Sequence, residues 1–295
     1  MSANLTIAPK SIPTVLITGA SSGIGRETAL RYAARGNRLV LVARGLDALE
    51  KVAAECLNEG AADVVVQPTD ISERSQVEHL FEVTTARFGK LDIVVQNAAL
   101  AAFGRFTDMP ADVFDTVVKT DVLGAANVAR CALLHFQESG QGQLVVMGSV
   151  LGQAAVPYMG AYVISKFAVT ALIRLLRQET RGLPGIAVHG IYPGAVDTPV
   201  YPSAANYYGR LAKVLPVNDP PSVVANAVVA ATDSGRPSER QVGWTNYPML
   251  AGYRLLPRVF DILVNPMMRV ASFAREQLPP TTGNVFKKTG AAAQS

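Results

Sequence analysis

The 295-residue sequence has few of the residues that build disulfide frameworks or metal sites. Its 2 cysteines, Cys56 and Cys131, exclude a disulfide framework and fit a reducing compartment. Its 3 histidines, His79, His135 and His189, lie far apart without the spacing of metal ligands. We therefore predict no metal site and no disulfide-stabilised fold.

A strong charge imbalance and long apolar runs are also missing. The chain has 27 Lys+Arg against 23 Asp+Glu, a net charge of +4, without a basic cluster, so we expect no nucleic-acid partner. The first eleven residues contain no apolar segment of signal-peptide length. No run reaches the roughly 18–20 charge-free apolar residues that span a bilayer. These features predict a cytoplasmic protein.

Strands and helices alternate over about the first 200 residues. The strands are continuous apolar runs, which is typical of a parallel sheet covered on both faces. The pattern predicts an α/β fold with a doubly wound, Rossmann-type parallel sheet, helices on both faces and a C-terminal helical extension. The predicted strands are 15–18, 38–43, 63–67, 91–96, 143–147 and 186–191, and the predicted helices are 26–34, 47–57, 74–88, 111–136 with a bend near Gly124, and 161–180.

The chain has no linker, repeat or low-complexity block inside this region, so we predict a single domain over residues 1–295. The dinucleotide-binding and catalytic body covers about 12–243. A helical extension follows at about 244–278. Residues 279–295 are rich in Pro, Gly and Ala and are predicted to form a mobile tail.

A glycine-rich turn follows the first predicted strand. Gly19, Gly23 and Gly25 stand between a strand and a helix, where glycine lets the backbone turn tightly and approach a pyrophosphate. The start of the helix offers unpaired N–H groups to phosphates. The alternative is a tight turn without a ligand, because short motifs also occur by chance.

A tyrosine and a lysine share one face of a later helix. Tyr162 and Lys166 are four residues apart, and a nearby ammonium favours the phenolate, which would make Tyr162 a general acid/base near neutral pH. Ser149 ends the fifth strand, at the edge of a parallel sheet where ligands bind. Taken alone, the Tyr–Lys pair is better explained as a surface pair on the helix.

The combination resembles the short-chain dehydrogenase/reductase family. The resemblance covers about residues 14–200 and rests on the turn at 18–25, Asp70 after the third strand, Asn97-Ala-Ala99 after the fourth, Ser149, Tyr162, Lys166, and the segment 193–198 after the sixth.

The resemblance implies a role for each matching residue. Tyr162 would donate the proton, Lys166 would lower its pKa and hold the nicotinamide ribose, and Ser149 would orient the substrate oxygen. Asp70 would contact the adenine, and Val196 and Thr198 the nicotinamide carboxamide. The full cofactor-binding set implied is Gly19, Ser21, Ser22, Gly23, Ile24, Gly25, Arg44, Asp70, Ile71, Asn97, Ala98, Ala99, Tyr162, Lys166, Pro193, Gly194, Val196 and Thr198.

The sequence departs from the family pattern at two positions. Gln96 replaces an Asn, which is a mild change. The family's Asn-x-x-Gly, whose Asn completes a catalytic tetrad, aligns with Asp121-Val-Leu-Gly124. An ionised Asp121 accepts hydrogen bonds but donates none, and its charge could pair with Lys166.

The cofactor preference depends on Arg44, which directly follows the second strand. An NAD enzyme would place Asp or Glu there to bind the ribose 2′-hydroxyl. Arg44 would instead pair with a 2′-phosphate, so we predict NADP(H). The alternative is an ordinary solvated arginine.

Apolar residues dominate the region that follows the motifs. Tyr201, Tyr208 and Leu211, with Val156 and Tyr158, predict an apolar substrate pocket. The extension pairs a polar stripe with a wide apolar surface, which could be buried against the body, a second subunit or a membrane.

We therefore expect an NADPH-dependent carbonyl reductase or alcohol dehydrogenase acting on an apolar ketone, aldehyde or secondary alcohol. A homo-oligomer is expected, and peripheral membrane contact through the extension remains open. The alternative is a catalytically weak dinucleotide-binding regulatory or scaffold protein, which only Asp121 favours.

Overall fold

The structure is a computed structural model that describes residues 12–286. Its centre is a 7-stranded sheet in the order β10-β7-β6-β4-β1-β2-β3, with every neighbouring pair parallel. The predicted doubly wound parallel sheet is therefore confirmed. The strands of the chain are β1 Thr14–Thr18, β2 Arg38–Ala43, β3 Asp63–Pro68, β4 Ile93–Gln96, β5 Ala102–Phe103, β6 Gly142–Met147, β7 Ile186–Pro193, β8 Ala205–Asn206, β9 Arg210–Ala212, β10 Ser238–Val242 and β11 Phe273–Gln277.

Helices cover both faces of the sheet. Successive residues of β1 show why: Leu16 faces a core built with α3, α5 and α6, whereas Ile17 faces a core built with α1, α2 and α8. The helices are α1 Gly23–Ala33, α2 Leu46–Asn58, α3 Arg74–Phe88, α4 Ala111–Val118, α5 Ala125–Ser139, α6 Gly160–Glu179, α7 Val200–Ser203, α8 Pro221–Asp233, α9 Asn246–Leu255 and α10 Pro257–Ala271. Both faces of every central strand are thus buried.

The strand order reverses beside β1, which pairs with β2 on one side and with β4 on the other. Such a reversal opens a crevice at the carboxyl ends of the strands, because the connecting helices leave in opposite directions. The glycine turn, Asn97 and Ser149 all follow the carboxyl ends of central strands. The fold therefore brings these motifs together.

The long helix predicted over 111–136 is interrupted. A π-helical turn, Lys119–Gly124, separates α4 from α5 at the position where a bend was predicted. A Cβ at Gly124 would lie 2.7 Å from Cγ1 of Ile71, so this turn packs closely against the loop after β3. Asp121 lies on the π-helical turn.

The C-terminal extension consists of α9, α10 and β11, and β11 pairs with β9. Val264 and Met268 of α10 are buried against Phe103 and Met159 of the body. No helix within residues 12–286 combines the length and apolar character that crossing a membrane requires.

The first part of the tail, which was predicted to be mobile over 279–295, packs against the body of the protein. Val285 is buried and packs against Leu100, Val113 and Val117. Residues 287–295 lie outside the described part of the chain.

Candidate active site

The glycine turn leaves room only for backbone. Gly19 and Gly23 have φ values of 66° and 53°, in the left-handed region that favours glycine. A Cβ at Gly25 would lie 2.1 Å from the carbonyl oxygen of Gly19. Because α1 begins at Gly23, its first unpaired N–H groups lie beside this turn. The turn therefore fits the pyrophosphate of a dinucleotide.

The turn borders a cavity of about 800 Å³ at the carboxyl ends of the strands. Gly25 and Asp121 are the two predicted site residues that do not line it. The predicted residues that do are Gly19, Ser21, Ser22, Gly23, Ile24, Arg44, Asp70, Ile71, Asn97, Ala98, Ala99, Ser149, Tyr162, Lys166, Pro193, Gly194, Val196 and Thr198. The cavity is large enough for an extended ligand that reaches both Arg44 and Tyr162.

Sequence analysis missed several residues that line the cavity, among them Lys51, Thr120, Ser203 and Asn284. Lys51 had a usable signal, since it lies four residues after Asp47 on α2 and therefore on the same helix face. The other three belong to the π-helical turn, to α7 and to the tail. No local sequence pattern predicts that these segments reach the cavity.

Ser149, Tyr162 and Lys166 meet at one end of the cavity. The Lys166 Nζ lies 5.6 Å from the centre of the Tyr162 ring and donates a hydrogen bond to the Met147 carbonyl at 3.0 Å. The Ser149 Oγ accepts from the Leu151 amide at 3.1 Å, which leaves its own proton free to be donated. The Ser149 hydroxyl and the Lys166 ammonium are thus both held by backbone groups.

Burial has the largest influence on the pKa values of Tyr162 and Lys166. Burial raises the pKa of Tyr162 above its ordinary value, the charge of Asp121 raises it further, and the Ser149 hydroxyl lowers it. Burial also lowers the pKa of Lys166, against the opposing effect of Asp121. Burial of the phenol is the largest of these influences, so the net shift is upward; the lowering of the Tyr162 pKa by Lys166 stays a prediction.

Asp121 is buried behind Lys166, with an exposed fraction of 2%. Its Oδ1 accepts a hydrogen bond from the Leu100 amide at 2.7 Å, and its Oδ2 has no partner among the described residues. Burial raises the pKa of Asp121 to about 7, while Lys166 and the Leu100 amide lower it. The carboxyl group therefore titrates near neutral pH.

Arg44 is engaged by the C-terminal part of the chain. Its Nη2 donates to the carbonyl of Asn284 at 2.6 Å and its Nη1 to the carbonyl of Val285 at 2.9 Å. Burial lowers the pKa of Arg44, and Asp70 opposes this shift. The guanidinium thus lies in the cavity wall as predicted, with two of its five N–H groups already paired.

Two polar residues stabilise the loops around the cavity. The Asn97 backbone N–H donates to the Thr18 hydroxyl at 2.9 Å, and its side-chain Nδ2 donates to the Thr18 carbonyl at 3.2 Å, so Asn97 connects the end of β4 to the start of the glycine turn. Asp70 Oδ1 accepts from the Ser72 amide at 2.9 Å and closes the turn after β3. Both side chains order backbone at the cavity edge.

The apolar side of the site is formed partly by the extension. Tyr201 lines the cavity, whereas the Tyr208 ring stacks on Phe273 with centroids 3.8 Å apart. Tyr158 donates to Asn265 Oδ1 at 2.6 Å and accepts from Arg269 Nε at 2.9 Å. Tyr158 and Tyr208 are therefore used to attach the extension.

A family model described as short chain dehydrogenase matches residues 13–207. The human protein named dehydrogenase/reductase SDR family member 7 is 35% identical over 187 residues, covering 62% of this chain and 55% of that protein. The chain therefore spans little more than half the length of this relative. The Bacillus subtilis oxidoreductase YxnA is 29% identical over 279 residues, covering 94% of this chain and 78% of that protein.

A solved structure shares the architecture. The alcohol dehydrogenase of the archaeon Thermococcus sibiricus, in complex with 5-hydroxy-NADP, superposes with a TM-score of 0.69 at 30% identity. The match covers 79% of this chain and 97% of that one. The motif-bearing region of this chain lies within the family match.

Proposed function

The chain belongs to the short-chain dehydrogenase/reductase family of oxidoreductases, and on that premise we propose that it is an NADP(H)-dependent carbonyl reductase or alcohol dehydrogenase. Its proposed substrate is an apolar ketone, aldehyde or secondary alcohol. The observation that carries this proposal is that Ser149, Tyr162 and Lys166 line the same cavity as the glycine turn. A cavity that only binds a dinucleotide needs no buried phenol beside an ammonium.

The side chains in the cavity have separate tasks. When bound, the nicotinamide supplies or accepts the hydride. The Ser149 hydroxyl donates a hydrogen bond to the substrate oxygen, and the Tyr162 hydroxyl transfers a proton to that oxygen during reduction. In oxidation the same phenol must first lose its proton, and its raised pKa makes this step favour alkaline pH. The backbone carbonyl of Met147 holds Lys166 close to the ring.

The proposed preference for NADP(H) rests on two cations. Arg44 at the end of β2 and Lys51 on α2 both line the cavity. Beyond its two contacts with the tail, three N–H groups of Arg44 have no partner among residues 12–286, and these suit a 2′-phosphate. No carboxylate directly follows β2 to bind a ribose 2′-hydroxyl.

The cofactor preference is tested by titrating NADPH and NADH into the parent and into Arg44→Asp. We expect the parent to favour NADPH and the variant to lose at least about tenfold in NADPH affinity, because the carboxylate repels the phosphate. Arg130→Asp, on the exposed surface of α5, is the control for the change in net charge. Equal affinity of the parent for both cofactors would remove the basis of this preference.

The rival function is a catalytically weak dinucleotide-binding regulatory or scaffold protein, which Asp121 favours. A panel of apolar ketones and alcohols, followed at the nicotinamide absorbance, separates the two. The enzyme proposal expects turnover of at least one compound. Tight NADPH binding without turnover of any of them would favour the rival.

One face of the extension is apolar and exposed. The side chains of this face have exposed fractions of 48% to 77% and are Leu255, Leu256, Val259, Ile262, Leu263, Met267 and Val270. Leu255 and Leu256 come directly before α10, and the other five recur at spacings of three and four residues that place them on one side of α10. Helix α10 packs on the body through Val264 and Met268, so packing on the body accounts for one side of the helix and leaves this apolar face exposed.

We propose that this apolar face docks on an anionic lipid surface. Arg258 and Arg269 are eleven residues apart, about three helical turns, and so border the face along one edge. Trp244 and Tyr247 are exposed beside it. Apolar side chains bordered by arginines are typical of helices that lie in a membrane interface.

Co-flotation with phosphatidylglycerol-containing vesicles tests the docking. The parent should float with these vesicles and not with pure phosphatidylcholine, and the double variant Ile262→Glu, Val270→Glu should not float. Leu134→Glu on α5 is the control for an exposed leucine on the body. If the parent does not float and forms a dimer that the double variant dissociates, the face is instead the interface of the predicted homo-oligomer.

A further inference from the structure

The C-terminal residues 281–285, here called the strap, lie against the segment between β7 and β9. The Thr281 amide donates to the Asn206 carbonyl at 3.0 Å, and the Asn206 amide donates to the Thr281 carbonyl at 2.8 Å. The Asn284 amide donates to the Ser203 carbonyl at 2.9 Å. Three backbone hydrogen bonds thus fix the strap to one edge of the cavity.

The close approach of the strap depends on Gly283. Its φ is 54°, and a Cβ there would lie 2.4 Å from the backbone of Ser203 and Ala204. Any larger residue would force the strap away from this edge. Val285, which is 1% exposed, buries the end of the strap among apolar side chains.

Arg44, which also lines the cavity, forms hydrogen bonds with the strap. The two hydrogen bonds from its guanidinium to the carbonyls of Asn284 and Val285 connect the end of β2 to the segment after β7. Arg44 and Ser203 both line the cavity, and the strap contacts both. The strap therefore crosses the cavity mouth on the side where Arg44 stands.

Asn284 is part of the cavity lining. Its Oδ1 is shielded from solvent and has no hydrogen-bond partner among the described residues, so it must turn towards the cavity to meet a ligand. A buried acceptor that lacks a donor destabilises the protein. Asn284 is placed beside Arg44, where the adenosine half of a dinucleotide offers hydroxyl and amino donors.

We propose that Asn284 binds the adenosine half of the cofactor and that the strap retains the cofactor in the cavity. This proposal rests on the proposed dinucleotide-dependent function and adds a contact from the C-terminal segment. Release then requires the strap to lose its hydrogen bonds to Arg44, Ser203 and Asn206. The strap contributes affinity through Asn284 and slows dissociation by covering the mouth.

Stopped-flow measurement of NADPH dissociation, with NADP⁺ as the displacing ligand, and fluorescence titration of NADPH test this role. Asn284→Ala should raise the NADPH dissociation constant about five- to tenfold, as expected for one lost hydrogen bond. Gly283→Val, which detaches the strap without shortening the chain, should raise the dissociation rate at least about tenfold. Thr282→Ala, exposed on the same strap, should match the parent.

The outcomes separate this proposal from the proposed function. If both Gly283→Val and Asn284→Ala match Thr282→Ala in dissociation rate and affinity while the parent binds NADPH tightly, the strap proposal is wrong and the function stands. A parent that binds neither NADPH nor NADH would overturn the proposed function and this proposal with it. Circular dichroism and melting curves confirm that each variant is folded before binding is compared.

Discussion

The buried carboxyl group of Asp121 controls the charge around the proposed proton donor. Asp121 raises the pKa of Lys166 and also that of Tyr162, since a carboxylate favours the ammonium and disfavours the phenolate. Its own pKa near 7 means that its charge changes within the working pH range. Activity and stability should therefore both depend on this one residue.

Asp121→Asn should lower the pKa of Tyr162 by removing the negative charge. The rising limb of the pH–rate profile for alcohol oxidation should move to lower pH by about one unit, with NADP⁺ affinity unchanged. The Asn side chain can still accept the hydrogen bond of the Leu100 amide, so the backbone is preserved. An unshifted pH profile in a folded variant would show that Asp121 is only a structural contact.

The same substitution has a consequence for stability. Between the ordinary value of 3.8 and about 7, folded Asp121 keeps a proton that the unfolded chain has lost, so its contribution falls as pH rises. His189 acts in the opposite direction, because burial lowers its pKa from 6.5 to about 4. Urea unfolding at pH 5 and pH 8 should show that Asp121→Asn stabilises the protein more at pH 8 than at pH 5, with a difference of roughly 1–4 kcal/mol. Equal effects at both pH values would contradict the raised pKa.

Some residues of the site could be singled out from the sequence because each stands in a recognisable local pattern. A strand end marked Ser149 and a helix spacing marked Tyr162 and Lys166, but only the combined resemblance to the family implied their roles; all three line one cavity. The direction of the Tyr162 shift was not predictable, because it depends on burial by residues distant in sequence. The engagement of Arg44 by Asn284, 240 residues later, has no local signal either.

At the scale of elements, the glycine turn and α1 form the most constrained part of the cavity. Gly25→Ala places a methyl group 2.1 Å from the Gly19 carbonyl oxygen, so the turn must open. We expect a loss of about 1–3 kcal/mol in the free energy of unfolding and at least about tenfold in NADPH affinity. Thermal melts and NADPH titration measure both effects.

Gly182→Ala is the matched control for this change. No atom lies within 4 Å of a Cβ at Gly182, which is in a loop after α6. The control should keep the affinity and stability of the parent. If Gly25→Ala also kept them, the turn would not have the close packing on which the cofactor site depends.

The elements of the sheet were largely predictable, and the exceptions have physical causes. The strands β1, β2, β4, β6 and β7 are largely buried on both faces, and β3 is half-buried with an apolar centre, so each contains a continuous hydrophobic run. The edge strand β10, Ser238–Val242, has a single aliphatic residue and was missed. The short strands β5, β8, β9 and β11 pair through contacts distant in sequence, which periodicity does not reveal.

At the scale of the whole molecule, the residues after the sheet enclose the cavity from two sides. Helix α10 packs beside Tyr162 and Tyr201 at the apolar end, and the strap crosses at Arg44. The body carries the residues that match the family, and the C-terminal segments pack around the cavity that those residues line. The length and composition of these segments predicted helices and a tail but not where they pack.

The central claim is that Tyr162 transfers a proton to a carbonyl substrate in a cavity that binds NADPH. The most direct test compares the parent and Tyr162→Phe for ketone reduction and, separately, for NADPH affinity. The variant should lose about 10²- to 10⁴-fold in kcat while keeping the NADPH affinity of the parent, because only the proton donor is removed. Activity of the variant within about tenfold of the parent would contradict the claim.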